Sequence, residues 1–138
     1  MENYNKIYFT YDSFPNYIVK IKIYYNKNDD YVIKLKIYKY GNKNKPIIND
    51  YKIIENKYFN SLFKRFLEIN IYDLKLSIDK YFGILDLPTF DLKIRSYKIN
   101  IELTVLPKEK CLTDLFFEIY YLFDTGITYI WKCNLNFA

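Results

Sequence analysis

Two neighbouring segments of the chain alternate apolar and polar residues with a period of two. In residues 17–25 and again in residues 31–40, apolar and aromatic residues fill most of the odd positions, and lysine recurs at the even ones. This period is typical of half-buried strands, because successive side chains of a strand point to opposite faces. The intervening residues 26–30 are Asn-Lys-Asn-Asp-Asp, a composition that favours turns. The pattern predicts an antiparallel hairpin.

The register of this hairpin brings lysines together. A continuous apolar face requires odd residues to lie opposite odd residues, so that Tyr25 faces Tyr31. The lysine pairs that follow are Lys20 with Lys36 and Lys22 with Lys34. Like charges directly opposite each other cost roughly a few tenths of a kcal/mol per pair. Either an anionic partner offsets this cost, or lysine is simply the default solubilising residue in a composition typical of A/T-rich codons.

The remaining elements are predicted from similar patterns. Apolar residues at three- and four-residue steps predict two amphipathic helices, one over 55–69 and one that starts at Pro107 and ends near Phe123. Further strands are predicted at 6–11, 90–95, 99–105 and 127–137. Residues 41–50 are predicted to form a polar loop, and residues 71–85 mix the features of strand and loop.

These elements predict a single α+β domain over residues 1–138. Its antiparallel sheet has about five to six strands, both helices pack on one face, and a strand-strand-helix unit occurs twice, which is compatible with a duplication. The other face is left open, with Asp91 and Glu102 as possible internal counterions. The outward residues predicted to bind a partner are Lys20, Lys22, Tyr24, Lys34, Lys36, Tyr38, Lys93 and Arg95.

Charge and hydropathy narrow the choice of partner. The net charge of +5 permits nucleic acid, an anionic membrane or an acidic protein as partner, but the arginine clusters that usually mark phosphate recognition are missing. Residues 1–6 have no signal-peptide pattern, and the apolar run 115–123 is interrupted by Glu118 and too short to span a bilayer. We expect a cytoplasmic protein that does not bind membranes.

The residue types needed for common catalytic and metal sites are scarce. The chain has no histidine, which excludes Ser-His and Cys-His catalysis and makes an ordinary zinc site unexpected. Cys111 and Cys133 are far apart, and three unclustered glycines cannot form a phosphate-binding loop. We therefore expect no enzymatic activity, no metal and no cofactor.

Two surfaces are candidates for recognition. The lysines and tyrosines of the open sheet face have the chemistry of single-stranded nucleic-acid platforms, where cations follow the backbone and rings stack on bases. On the later helix, Phe117 and Tyr121 are one turn apart, nearly opposite the core stripe, and Asp114 and Glu118 accompany them. Exposed aromatic residues framed by charge are typical of an interface anchor.

One segment carries a family resemblance. Residues 81–89, Tyr-Phe-Gly-Ile-Leu-Asp-Leu-Pro-Thr, connect the first helix to the strand at 90–95, and a short hairpin and the helix started by Pro107 follow. In element order and patterning, this second half of the chain resembles small domains among bacterial toxin-immunity proteins. The resemblance implies a cytoplasmic protein that binds and blocks a cognate toxin.

Two other functions fit the same sequence. The A/T-rich composition and small motif-free domain also suit a phage-encoded inhibitor of a host defence complex, such as an anti-CRISPR protein. The third possibility is RNA or single-stranded DNA binding through the basic sheet face.

Overall fold

The computed structural model describes residues 5–13, 17–28, 30–42, 44–68, 89–96, 100–105 and 110–123. The elements are β1 (Lys6–Ser13), β2 (Tyr17–Tyr25), β3 (Asp30–Lys39), β4 (Ile48–Glu55), α1 (Asn56–Leu67), β5 (Thr89–Arg95), β6 (Asn100–Val105) and α2 (Lys110–Tyr120). The segment 71–85, the helix start at Pro107 and the strand predicted at 127–137 lie outside the described residues.

The described strands form one six-stranded sheet in the order β4-β3-β2-β1-β5-β6. Every neighbouring pair is antiparallel. The predicted α+β class is confirmed. Neither helix in the described part of the chain is long and apolar enough to cross a membrane.

The lysine hairpin has the predicted register. Tyr25 pairs with Tyr31, and the predicted lysine pairs follow from it along β2 and β3. In the turn, Lys27 and Asn28 adopt positive φ angles of 76° and 57°. This left-handed backbone is tolerated by asparagine more readily than by other non-glycine residues. The backbone N–H of Asn26 donates to the carbonyl of Asp30 at 2.9 Å and closes the turn.

Both helices pack on the face of the sheet that carries the odd residues of the hairpin. Phe9 of β1 is fully buried, and its ring meets Phe66 of α1 at a centroid distance of 5.7 Å and Phe116 of α2 at 5.4 Å. Both contacts are edge-to-face, a favoured geometry for aromatic pairs. One strand residue therefore joins both helices to the sheet.

The predicted loop over residues 41–50 is wrong at its end, because residues 48–50 begin β4. This strand lies at one edge of the described sheet, and its alternation is broken because Asp50 and Lys52 face the helix side, opposite Leu35 and Ile33. An edge strand can carry inward charges because the helices cover its face incompletely. The repeated strand-strand-helix unit therefore consists of β3-β4-α1 and β5-β6-α2, not of β2-β3-α1 as the sequence predicted.

The boundaries of α1 differ from the predicted ones by one or two residues, and α2 ends at Tyr120, three residues before the predicted end near Phe123. Glu55 is the N-cap of α1 and ends β4, and the helix ends at Leu67. Lys64 and Arg65 lie in the last turn, where cations interact favourably with the helix dipole. Arg65 also forms an ion pair with Glu118, which links α1 to α2.

Candidate functional site

The sheet face turned away from both helices, called the outer face below, gathers most of the residues predicted to bind a partner. Cross-strand register places them there, since the outward residues of β2 and β3 align through Tyr8 of β1 with Lys93 of β5. The predicted residues on the outer face are Lys20, Lys22, Tyr24, Lys34, Lys36, Tyr38, Lys93 and Arg95. No described helix or strand packs over them.

At the centre of the outer face, four lysines form a two-by-two block. Lys20 lies opposite Lys36, and Lys22 lies opposite Lys34 one pair further along the strands. We call these four residues the lysine block. The side chains of Lys20 and Lys22 are exposed, and those of Lys34 and Lys36 are half-buried.

Tyrosine rings lie beside three of the four lysines. The Nζ atom of Lys20 is 5.2 Å from the ring centroid of Tyr38, and those of Lys22 and Lys34 are 5.0 Å and 5.5 Å from that of Tyr24. Lys22 also lies 5.6 Å from the ring of Tyr8. Such cation–π contacts are worth about 0.5–1 kcal/mol at exposed positions. They therefore offset the repulsion between the paired lysines.

Apolar cross-strand contacts hold two of these rings in place. Tyr38 lies directly opposite Ile18, and Tyr24 lies directly opposite Val32. Ile18 and Val32 are only 9% and 5% exposed although they point away from the helices. Pairs of aromatic and β-branched residues stabilise antiparallel sheets. The lysine block thus lies between two anchored tyrosines, one at each end.

The lysine block has no carboxylate to neutralise it within the described part of the chain. No Asp or Glu there lies within ion-pair distance of Lys20, Lys22, Lys34 or Lys36. By the same criterion Lys36 has no ion pair, and it also lies over no described ring. The block is therefore a concentration of positive charge on the outer face.

The β5–β6 side of the outer face is different, because its cations are paired. Glu102 contacts Lys93 at 3.6 Å and Arg95 at 3.3 Å, as expected for an internal counterion. Asp91, the second expected counterion, lies opposite Thr10 in the sheet. Positive charge on the outer face is consequently concentrated over β2 and β3.

A depression of about 690 Å³ lies between these two regions. It opens above β1, where the outer face carries the small side chain of Thr10. Its walls combine tyrosine, both signs of charge and threonine: Tyr8, Thr10, Lys20, Asp91, Lys93, Arg95 and Glu102. The depression can receive a polar or charged group from a partner.

Phe117 lies on α2 and Tyr121 directly follows the helix, so both lie on the other side of the sheet from the lysine block. Their rings are stacked, 5.6 Å apart at an interplanar angle of 21°. Tyr121 is 48% exposed, but Phe117 is half-buried against the core. The predicted aromatic pair is present, and only Tyr121 is largely exposed.

Some outer-face residues are absent from the set that the sequence predicted. Tyr8 of β1 contacts Lys22 of β2, but the sequence did not indicate that β1 and β2 are neighbours in the sheet. Tyr51 and Ile53 of β4 are 63% and 58% exposed, and Tyr51 lies opposite Lys34. The alternation of residues 48–55 with a period of two is the signal that could have predicted β4. The inward-facing charges of Asp50 and Lys52 obscured this signal.

Two tyrosines have perturbed ionisation. Burial and a hydrogen bond donated to the Asp12 carboxylate raise the pKa of Tyr40 above its ordinary value. Burial and the nearby Glu118 raise the pKa of Tyr58. Both groups therefore remain neutral at physiological pH. Neither belongs to the lysine block.

Comparison of the sequence with protein-family models and with curated proteins gives no relative from which to transfer a function. No protein-family model matches the chain, and no curated protein matches its sequence. Within the described residues, no group of three or more cysteine, aspartate or glutamate side chains is placed to hold a metal ion.

Proposed function

We propose that the protein is a non-catalytic inhibitor that binds an acidic surface of a protein partner through the lysine block. The observation that carries this proposal is that four lysines lie next to one another, three of them beside tyrosine rings, and that none has a counterion among the described residues. Grouping like charges is unfavourable in the free protein. Carboxylates of a partner would relieve this repulsion and would also speed association by electrostatic steering.

Within this class we favour a toxin-immunity protein, which acts in the cytoplasm on a toxin with an acidic surface. The support is the resemblance of the second half of the chain to small immunity domains, together with a six-stranded antiparallel sheet that needs no chemistry to occlude its target. An inhibitor of a host defence complex would use the same surface. In that case the partner would be an acidic subunit of the complex.

Nucleic acid is the second candidate partner, and the exposed Tyr51 beside Lys34 favours it. A ring exposed at 63% next to a cation could stack on an unpaired base. Against this, Tyr24 is contacted by two lysines, so its ring is already engaged in the free protein. An acidic protein surface therefore fits the lysine block better.

A comparative affinity capture from lysate of the native host tests the proposal. The bait is the unaltered protein or a variant with Lys20, Lys22, Lys34 and Lys36 replaced by serine, and half of each lysate is treated with nuclease. The matched control replaces four exposed lysines elsewhere by serine, which gives the same change in charge: Lys27, Lys39, Lys57 and Lys64.

The expected result is a near-stoichiometric protein that the unaltered and control baits retain with and without nuclease, and that the lysine-block variant loses. Retention of the same protein by the lysine-block variant would overturn the assignment of the surface. Capture of nucleic acid, with proteins lost on nuclease treatment, would favour the second candidate partner.

A further inference from the structure

Among the described strands, β4 is an edge strand whose outer edge has no neighbouring strand. Within the described part of the chain it pairs only with β3, and Tyr51 and Ile53 are its exposed large hydrophobic side chains. The backbone N–H of Tyr51 donates a hydrogen bond of 2.8 Å to the carboxylate of the adjacent Asp50. This N–H is therefore not used in the hydrogen bonds between β4 and β3. Exposed edges of this kind are templates for pairing with another strand.

The sequence of β4 is complementary to itself when it is reversed about Tyr51. In an antiparallel pair of two copies, opposite residues have numbers placed symmetrically about the centre of the strand. Asp50 then faces Lys52 of the second copy, and Lys52 faces Asp50 of that copy. On the same side of the sheet, Ile48 faces Ile54. Opposite charges and paired isoleucines both favour cross-strand contact.

Other centres lose this complementarity. A two-fold axis at Asn49 would place Asp50 opposite Ile48, and an axis at Ile53 would place Lys52 opposite Ile54. Either shift leaves a charge facing an apolar residue. Inward-facing positions recur every second residue, so a shift of the pairing changes which of them face each other. The Asp50–Lys52 and Ile48–Ile54 contacts therefore specify one register for the pairing of two β4 strands.

We propose that two copies of this chain associate edge to edge through antiparallel pairing of β4, with the two-fold axis at Tyr51. The dimer joins two six-stranded sheets into one continuous sheet and covers Tyr51 and Ile53. On pairing, the Tyr51 N–H exchanges the Asp50 carboxylate for a backbone carbonyl of the second copy. Asp50 is then free to contact Lys52 across the interface.

The geometry has a consequence for the lysine block, although the proposal does not depend on the function of that block. The axis runs perpendicular to the sheet, because Tyr51 of each copy lies on the outer face. Both lysine blocks therefore lie on the same side of the dimer. A partner with two acidic sites would bind both blocks at once, with a gain from multivalency.

A charge exchange tests the interface. Sedimentation velocity over a concentration series should show a monomer–dimer equilibrium for the unaltered chain. In Lys52→Asp two attractive pairs become repulsive, and we expect the dissociation constant to rise at least about tenfold. The double variant D50K/K52D restores opposite charges in exchanged positions and should recover most of the affinity.

Lys57→Asp is the matched control, because it makes the same charge change on α1 and should leave the dissociation constant unchanged. Urea unfolding of each variant establishes that the fold is retained. An unaltered chain that stays monomeric at all attainable concentrations, or a Lys52→Asp chain that dimerises as well as the unaltered one, would overturn the proposal.

A cysteine series tests the register independently. In the proposed pairing Ile48 faces Ile54 of the second copy at a non-hydrogen-bonded position, where opposed Cβ atoms come closest. A mixture of Ile48→Cys and Ile54→Cys chains should therefore form a mixed disulfide under mild oxidation, in much higher yield than either chain alone. The unaltered chain, with its native Cys111 and Cys133, gives the background. Yields no higher than this background would contradict the proposed pairing.

Discussion

Lys22 lies directly opposite Lys34 in the central hairpin, and the ammonium groups of both side chains lie beside the same tyrosine ring. Tyr24 therefore contributes more than apolar burial. Its electron-rich ring face attracts two cations that would otherwise repel each other across the strand pair. This shared ring explains how a lysine pair is accommodated on a sheet without a described carboxylate.

The first prediction concerns this shared ring. Tyr24→Ala should lower the free energy of unfolding by about 1–2 kcal/mol, because it removes two cation–π contacts and the cover over Val32. Tyr24→Phe keeps the ring and should cost much less. In a Lys22→Ser/Lys34→Ser background the truncation should cost less than in the unaltered chain, and a double-mutant cycle by urea unfolding measures the difference. Equal costs in both backgrounds would show that the lysines do not depend on the ring.

The second prediction concerns the pairing of Lys20 with Lys36. Lys36→Glu converts a like-charge cross-strand pair into an opposite-charge pair, so the free energy of unfolding should rise by roughly 0.2–1 kcal/mol. Added salt should shrink this gain by screening it. Urea unfolding at two ionic strengths measures both effects. A variant less stable than the unaltered protein would mean that Lys36 is a satisfied structural residue. If the proposed function is right, the same change weakens partner binding.

The third prediction concerns Phe9, which contacts an aromatic residue from each helix. Phe9→Ala should lower the free energy of unfolding by about 3–5 kcal/mol, because it leaves a cavity between the sheet and both helices. Lys64→Ala on the exposed side of α1 is the comparison and should stay within about 0.5 kcal/mol of the unaltered protein. Chemical denaturation followed by circular dichroism measures both variants. A loss of less than 1 kcal/mol at Phe9 would contradict this account of the core.

The fourth prediction concerns alkaline pH. Because the folded state raises the pKa of Tyr40, the stability that its neutral form contributes is fully present below the ordinary tyrosine pKa of about 10. That stability is lost as pH rises from there through the higher pKa of the folded state. Tyr40→Phe should therefore fall less steeply in stability above about pH 10 than the unaltered protein. Asp12→Asn should reduce the same difference, because it removes a negative charge that opposes ionisation. Urea unfolding over an alkaline pH series measures these slopes, and identical slopes for all three proteins would contradict the prediction.

Much of the central fold follows from the parity of apolar positions. Because the hairpin must keep odd residues on one face, the pairing of Lys22 with Lys34 could be predicted without any structure, and the structure has that pairing. The two amphipathic helices and their common face follow from the same logic. The outward direction of Lys93 and Arg95 was predictable too, since their strand alternates in the same way.

Long-range neighbours and the edge strand could not be read from local pattern. Tyr8 meets Lys22 only because β1 inserts between β2 and β5, and periodicity within a strand carries no information on strand order. In β4, Asp50 and Lys52 face the helix side and hide the alternation on which strand prediction depends. The features that could not be predicted from the sequence are therefore those that depend on strand order and on how far the two helices extend over the sheet.

Lysine footprinting of the captured complex tests directly whether the lysine block binds the partner. Amine-reactive labelling and mass spectrometry would compare each lysine in the free protein with the same lysine in the nuclease-treated complex. We expect protection of Lys20, Lys22, Lys34 and Lys36, with Lys57 and Lys64 on α1 labelled as in the free protein. Protection of the α1 lysines, with the lysine block still fully reactive, would contradict the claim that this block binds the partner.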